Sequence, residues 1–357
     1  MRTTSVVSRR WLPIGAAALL CLLPSACERV DITPGSEPIQ TLGLLINTPN
    51  SSAPTQVALD EATRLALATG VKGTVVMYSW NQLEPAAGQY NLTSLQGELA
   101  GHRQRGWMIY LGIRVINTVR RELPADLQSL PFDDPLVLSR FHALIDALAP
   151  VLSGAERYLS IGNEVDAYLG NAPAQWAAYQ AFYEDALSYV HQKVPSLQVG
   201  VTTQFDGYAS NNVGNVAALN TRSDFIALTY YPLQPGWQVQ SPAAPRTDFP
   251  RIVSLAGGRP VVLQEAGYPS AALNGSSEQS AAEFVTVALE AWRQQGQAMP
   301  FLNYFIEYDF DATTCAAFND YYGVNDPAFT AFLCSLGLRR ADGTAKAGWS
   351  SFLAGAK

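Results

Sequence analysis

Eight apolar runs of strand length, spaced along the chain by segments that read as amphipathic helices, narrow the possible folds of this 357-residue sequence more than any other feature. They are Thr41 to Ile46, Gly73 to Tyr78, Met108 to Val115, Tyr158 to Ile161, Gln198 to Thr202, Phe225 to Tyr230, Pro260 to Gln264 and Phe301 to Ile306. Most are apolar without strict alternation, the pattern of strands buried on both faces in a parallel sheet. Between them, Phe141, Leu144, Ile145 and Leu148 fall on one helical face, as do Phe284, Ala288 and Trp292. Val57 to Thr69 ends at Gly70, a left-handed cap, and another helix is expected from Ala174 to His191. Eight strands alternating with helices, and no Gly-rich dinucleotide fingerprint, predict an α/β chain folded as a single (β/α)8 barrel over residues 39–357.

The first residues are of another kind. Arg2, Arg9 and Arg10 precede an apolar run from Ile14 to Leu23 that ends in Pro24-Ser25-Ala26-Cys27, so residues 1–26 read as an export signal. Cys27 resembles the lipid-modified cysteine of a bacterial lipoprotein, although Pro24 stands where that motif usually has Leu; ordinary cleavage at the same small residues is the alternative. Ser8-Arg9-Arg10-Trp11-Leu12 also resembles a twin-arginine signal, faintly. Residues 27–38 are polar and contain Pro and Gly, as a flexible tether does. The expected protein is exported, as a periplasmic or cell-surface lipoprotein or in secreted form, with membrane contact only through a lipid anchor. Removing residues 1–26 takes away three arginines and no acid, moving the formal net charge from -7 to -10. Such acidity disfavours nucleic acid as a partner. In an oxidising compartment Cys315 and Cys334 can form a disulfide.

The longest irregular stretches follow the third, sixth and eighth runs, near residues 117–134, 232–248 and 307–327, on the barrel face where active sites are built. Three histidines in the whole chain, and no His-Glu-x-x-His, Gly-x-Ser-x-Gly or phosphate loop, leave little for zinc, serine or nucleotide chemistry, and no metal or cofactor is expected. Carboxylates remain. The fourth run leads into Gly162-Asn163-Glu164, and the seventh into Gln264-Glu265-Ala266. One such glutamate is commonly a helix cap or a partner for an arginine such as Arg114. Two at matching strand ends form the pair that glycosidic cleavage needs, one acid for the leaving oxygen and one ionised carboxylate across the sugar.

These two motifs, with Trp80-Asn81-Gln82-Leu83-Glu84-Pro85 and Gly88-Gln89-Tyr90, resemble the clan of retaining (β/α)8 glycosidases that includes cellulases, β-galactosidases and endo-galactanases. The resemblance runs from about residue 40 to the end. It implies that Glu164 is the acid/base, that Glu265 is the nucleophile, and that Asn163 contacts the hydroxyl beside the reacting carbon. Leu228-Thr229-Tyr230-Tyr231-Pro232 is similar to the Ser-Tyr-Tyr-Pro of endo-β-1,4-galactanases. Strand alternation puts Thr229 and Tyr231 on one face, which makes Tyr231 the first candidate to bond the nucleophile and Tyr230 the second.

Two departures stand out: strand two lacks the arginine that many members use near the nucleophile, and strand eight lacks the usual sugar-stacking tryptophan. Trp80, Trp237 and Tyr268 are the candidate aromatic subsite residues, Trp237 first, whereas Trp107, Trp176 and Trp292 read as core. Asp309 and Asp311 receive no functional role. The implied partner is a polysaccharide or oligosaccharide. A surface carbohydrate-binding lipoprotein that kept the barrel without turnover is the competing reading.

Overall fold

Close packing of parallel strands requires that bulky and small side chains alternate between neighbours, and the glycines show where this happens. A Cβ on Gly43 would lie 2.9 Å from the Phe301 ring, and one on Gly200 would lie 2.7 Å from the Phe225 ring. Each ring therefore fills the barrel interior through the gap that its neighbour leaves. Val75, Tyr110, Tyr158, Phe225, Ala227, Val262 and Phe301 form that interior core.

The computed structural model describes residues 40–357. The readings of residues 1–26, of the tether and of Cys27 lie outside the described residues. The eight strands are β1 (Thr41–Leu44), β2 (Gly73–Ser79), β3 (Met108–Asn117), β4 (Glu156–Asn163), β5 (Gln198–Gly200 and Thr202–Gln204), β6 (Ile226–Tyr230), β7 (Val261–Ala266) and β8 (Phe301–Tyr304). Each coincides with one of the eight apolar runs. Parallel pairing passes from β1 through β2, β3 and β4 to the first half of β5, and from its second half through β6, β7 and β8 back to β1. The two halves of β5, on either side of Val201, carry the ring between β4 and β6. The (β/α)8 barrel is thus observed.

Helices cover the outside, and their buried faces are the predicted ones. Phe141, Leu144, Ile145 and Leu148 of helix Pro135–Leu148 are buried, as are Phe284, Ala288 and Trp292 of helix Glu278–Gln295. Helix Gln56–Thr69 starts at an N-cap, where Thr55 accepts from the Ala58 amide, and ends at Gly70 with φ 94°. Trp107, Trp176 and Trp292 lie in the core.

The stretch after β8 is not irregular, as its composition implied. Asp311 caps a helix over Ala312–Tyr322, and Asp326 caps another over Pro327–Leu333. Asp309 pairs with Lys346 at 2.6 Å, so Asp309 and Asp311 both have structural partners. The Cys315–Cys334 disulfide ties the start of the first helix to the end of the second. The two helices carry Phe318, Tyr321, Tyr322, Phe329 and Phe332 over the carboxyl end of the barrel.

Candidate active site

Glu164 and Glu265 line one cavity at the C-terminal mouth of the barrel, of about 1050 Å³, as the ends of β4 and β7 dictate. The backbone departs from regular strand at both places. After β4, Glu164 takes a left-handed conformation, φ 48° and ψ 46°, where the strand turns into helix Val165–Leu169. A non-glycine residue is held there at a cost, which surrounding bonds must offset. In β7 the register shifts relative to both neighbours between Leu263 and the Glu265–Ala266 end. Such a bulge re-aims side chains beside a site, and here both Gln264 and Glu265 reach polar partners at the barrel mouth.

Those partners form a separate set on each carboxyl. Thr118 Oγ1 donates to Glu164 Oε2 and Thr229 Oγ1 to Glu164 Oε1, each at 2.7 Å. Tyr231 donates its phenol hydrogen to Glu265 Oε2 at 2.6 Å, and Gln264 Nε2 donates to Glu265 Oε1 at 3.2 Å. The same Gln264 nitrogen donates to Asn163 Oδ1 at 2.6 Å, while Thr202 holds the Gln264 oxygen at 2.6 Å. Asn163 in turn donates to Asn117 Oδ1 at 3.0 Å, and Asn117 to the Tyr321 hydroxyl at 2.8 Å. The acid-bearing ends of β4 and β7 are therefore held by a single chain of amides and hydroxyls.

Electrostatics couples the two acids. Burial first, and the charge of Glu164 second, push Glu265 up to about 7, against the lowering effects of Tyr231, Gln264 and Arg114. Two carboxyls sharing a buried site do not both ionise readily near neutrality, so the pair retains a proton. Burial also raises Asp166, to about 7, behind Glu164.

Of the residues expected at the site, Glu164, Glu265, Asn163, Tyr231 and Trp237 line the cavity together. Three do not. Trp80 is fully buried in the outer layer, edge-on to Phe141, with its Nε1 donating to Glu84. Tyr230 points away from the cavity, as alternation requires, and its hydroxyl bonds Asp248 at 2.6 Å. Tyr268 stacks on Phe284 and donates to the Gln240 carbonyl. Each ring is drawn into a packed layer that satisfies its polar atom, which a loop-end position in sequence does not reveal.

Other residues at the site were missed or given lesser roles. Arg114, in β3, supplies positive charge near Glu265 where the arginine of strand two is lacking. Phe305 follows β8 and lines the cavity in the segment that lacks the clan's usual tryptophan. Tyr322 lies in the field of both carboxylates and bonds Thr118. Gln264 was visible as an amide closing an apolar run; nothing in the sequence marks Thr118 or Tyr322.

No family model and no curated protein matches the sequence. Solved structures do match in fold. A GH5_18 protein from Bifidobacterium longum subsp. longum, solved with Manβ1-4GlcNAc, superposes with a TM-score of 0.69 at 16% identity, over 89% of this chain and 78% of the other. One from Streptomyces cattleya, solved with GlcNAc, reaches 0.70 at 16% identity over 89% and 79%. The exo-β-1,4-mannosidase Op5Man5 from an Opitutaceae bacterium reaches 0.69 at 19% identity over 89% and 59%. At such identities the likeness is one of fold. The endo-galactanase likeness of the β6 motif receives no support from these three.

Proposed function

We propose that this chain is a retaining glycoside hydrolase that cleaves β-O-glycosidic bonds, with Glu265 as nucleophile and Glu164 as acid/base. The observation that carries the proposal is the pair of carboxyls lining one cavity at the ends of β4 and β7, Glu265 bonded by Tyr231 and Gln264 and Glu164 by Thr118 and Thr229. The fold shared with an exo-β-1,4-mannosidase and with proteins solved on Manβ1-4GlcNAc and GlcNAc supports a β-glycoside as substrate.

The hydrogen bonds allot the roles. At Glu265 the Tyr231 phenol and the Gln264 amide both donate and Arg114 adds positive charge, an arrangement that suits an attacking carboxylate. The threonine hydroxyls on Glu164 can donate to a carboxylate or accept from a carboxylic acid, so Glu164 keeps its bonds in either state. The reaction needs a proton on Glu164 and Glu265 ionised. Glu265 attacks the anomeric carbon while Glu164 gives its proton to the leaving oxygen, forming a covalent glycosyl-enzyme. Glu164 then takes a proton from water, which displaces Glu265 and releases the sugar with its configuration retained.

A panel of nitrophenyl β-glycosides, β-mannoside first, together with polysaccharides tests the reading. Binding without hydrolysis across the panel would support the non-catalytic alternative instead. Trp237 packs on Phe329 and Phe332 at ring distances of 4.8 and 5.6 Å and lines the cavity. Trp237→Ala is expected to weaken binding of the preferred substrate by about 1 kcal/mol or more; an unchanged Michaelis constant would exclude a role in substrate binding.

The basic start, the apolar run and Cys27 support export with lipidation at Cys27. Cys27→Ser is expected to move the protein from the membrane fraction to the soluble exported fraction. Full-length, unprocessed protein in the cytosol would contradict the export reading.

A further inference from the structure

The cavity walls are chemically divided. Around the carboxyls the lining is polar, with Arg114, Thr118, Asn163 and Thr229. Away from them, Phe305, Phe310, Phe329, Phe332, Leu233 and Trp237 belong to one contiguous apolar cluster. Tyr231, the phenol on Glu265, belongs to it too, so the apolar wall begins at the reacting centre.

The rings of this wall are engaged with one another. Phe310 and Phe318 meet edge to face at 4.8 Å, Tyr322 and Phe329 at 5.3 Å, and Tyr231 and Phe332 at 5.4 Å. A sugar stacks on a ring face and needs hydrogen-bond partners for its hydroxyls. A herringbone of edges and faces interleaved with Leu233, Val324 and Leu333 supplies few of either, but suits hydrocarbon. Apolar rings lining a cleft of this size mark a ligand-binding site.

We infer that this apolar wall takes a hydrocarbon aglycone, so that the preferred substrate is an alkyl or aryl β-glycoside and not an internal bond of a polysaccharide. The inference rests on the glycosidase reading for the reaction, but not for the binding. Methyl, butyl, hexyl and octyl β-D-mannosides and β-D-glucosides, kept below their micelle concentrations, test both on the full chain. Binding is measured by calorimetry and turnover by released sugar.

Affinity is expected to rise about twofold or more with each added methylene. Phe318→Ser should flatten that dependence, because Phe318 lines the cavity beside Phe310. Binding that strengthens with chain length but releases no sugar would keep the hydrocarbon site and remove the glycosidase reading. Hydrolysis with the same Michaelis constant from methyl to octyl, or one that falls instead along a β-1,4-linked oligosaccharide series, would overturn the hydrocarbon site and keep the glycosidase. Failure of every alkyl glycoside to bind at millimolar concentration would also overturn it.

Discussion

Glu265→Ala is expected to lower kcat/KM on every substrate by a factor on the order of 10⁵ or more and to abolish the covalent glycosyl-enzyme, because no other group then attacks the anomeric carbon. Glu164→Ala should differ in kind. With a leaving group that needs a proton, the loss should be roughly 100- to 10,000-fold. With a dinitrophenyl glycoside the covalent intermediate should still form and accumulate. Azide distinguishes the roles further: it should give the β-azide with Glu164→Ala, by attacking the glycosyl-enzyme, and the α-azide with Glu265→Ala, by replacing the nucleophile. The same anomer from both variants, or inverted product from the native enzyme, would refute the assignment.

The coupling of the pair adds a pH signature. Glu265 must be ionised to attack, so its raised value places an acid limb on the rate, with activity falling as pH drops through about 7. After burial, the charge of Glu164 is the largest cause of that rise. Glu164→Gln removes the charge, and the acid limb measured on a dinitrophenyl glycoside should move to lower pH. A limb that stays in place would show that Glu164 exerts no such field.

A second large effect concerns stability and lies outside the cavity. Glu307 follows β8, is fully buried, and among the described residues has no hydrogen-bond partner for either carboxyl oxygen. The nearby Arg339 guanidinium lies over the rings of Tyr308 and Trp349, at 5.3 and 5.1 Å. Burial pushes Glu307 up to about 9, with Arg339 opposing only in part. Its value is raised in the folded chain, so its contribution to stability is complete below its ordinary value of 4.5 and is lost as pH rises from there to about 9. Glu307→Gln removes that loss. At pH 9 the variant should be more stable than the native chain, by several kcal/mol and at most on the order of 6. Glu265 and Asp166 act in the same direction up to about 7, so a smaller slope should persist in the variant. Denaturant melts at pH 5 and pH 9 measure this, and equal losses of stability in both proteins would show that Glu307 is not held neutral.

Local patterns along the chain specify the barrel and the location of its chemistry. Strand-length apolar runs and one-sided helical spacing are local properties, because a residue's face follows from its position in a repeat of about 2 or 3.6. That is why all eight strands, the buried helix faces, both strand-end glutamates and the pairing of Thr229 with Tyr231 on one face could be read without coordinates. Tertiary structure decided the rest. The register shift in β7 lets neighbouring Gln264 and Glu265 both reach the network, where simple alternation would send one of them away. Whether a loop-end tryptophan meets substrate or core depends on what packs over it: Phe141 and Glu84 claim Trp80, whereas Trp237 remains on the cavity wall. Arg114, Thr118 and Tyr322 come to the carboxyls from β3, the turn after it and the helix beyond β8, segments whose separation along the chain carries no periodic signal. Their approach is set by the closure of the barrel and the docking of the disulfide-tied helices, which only the folded chain defines.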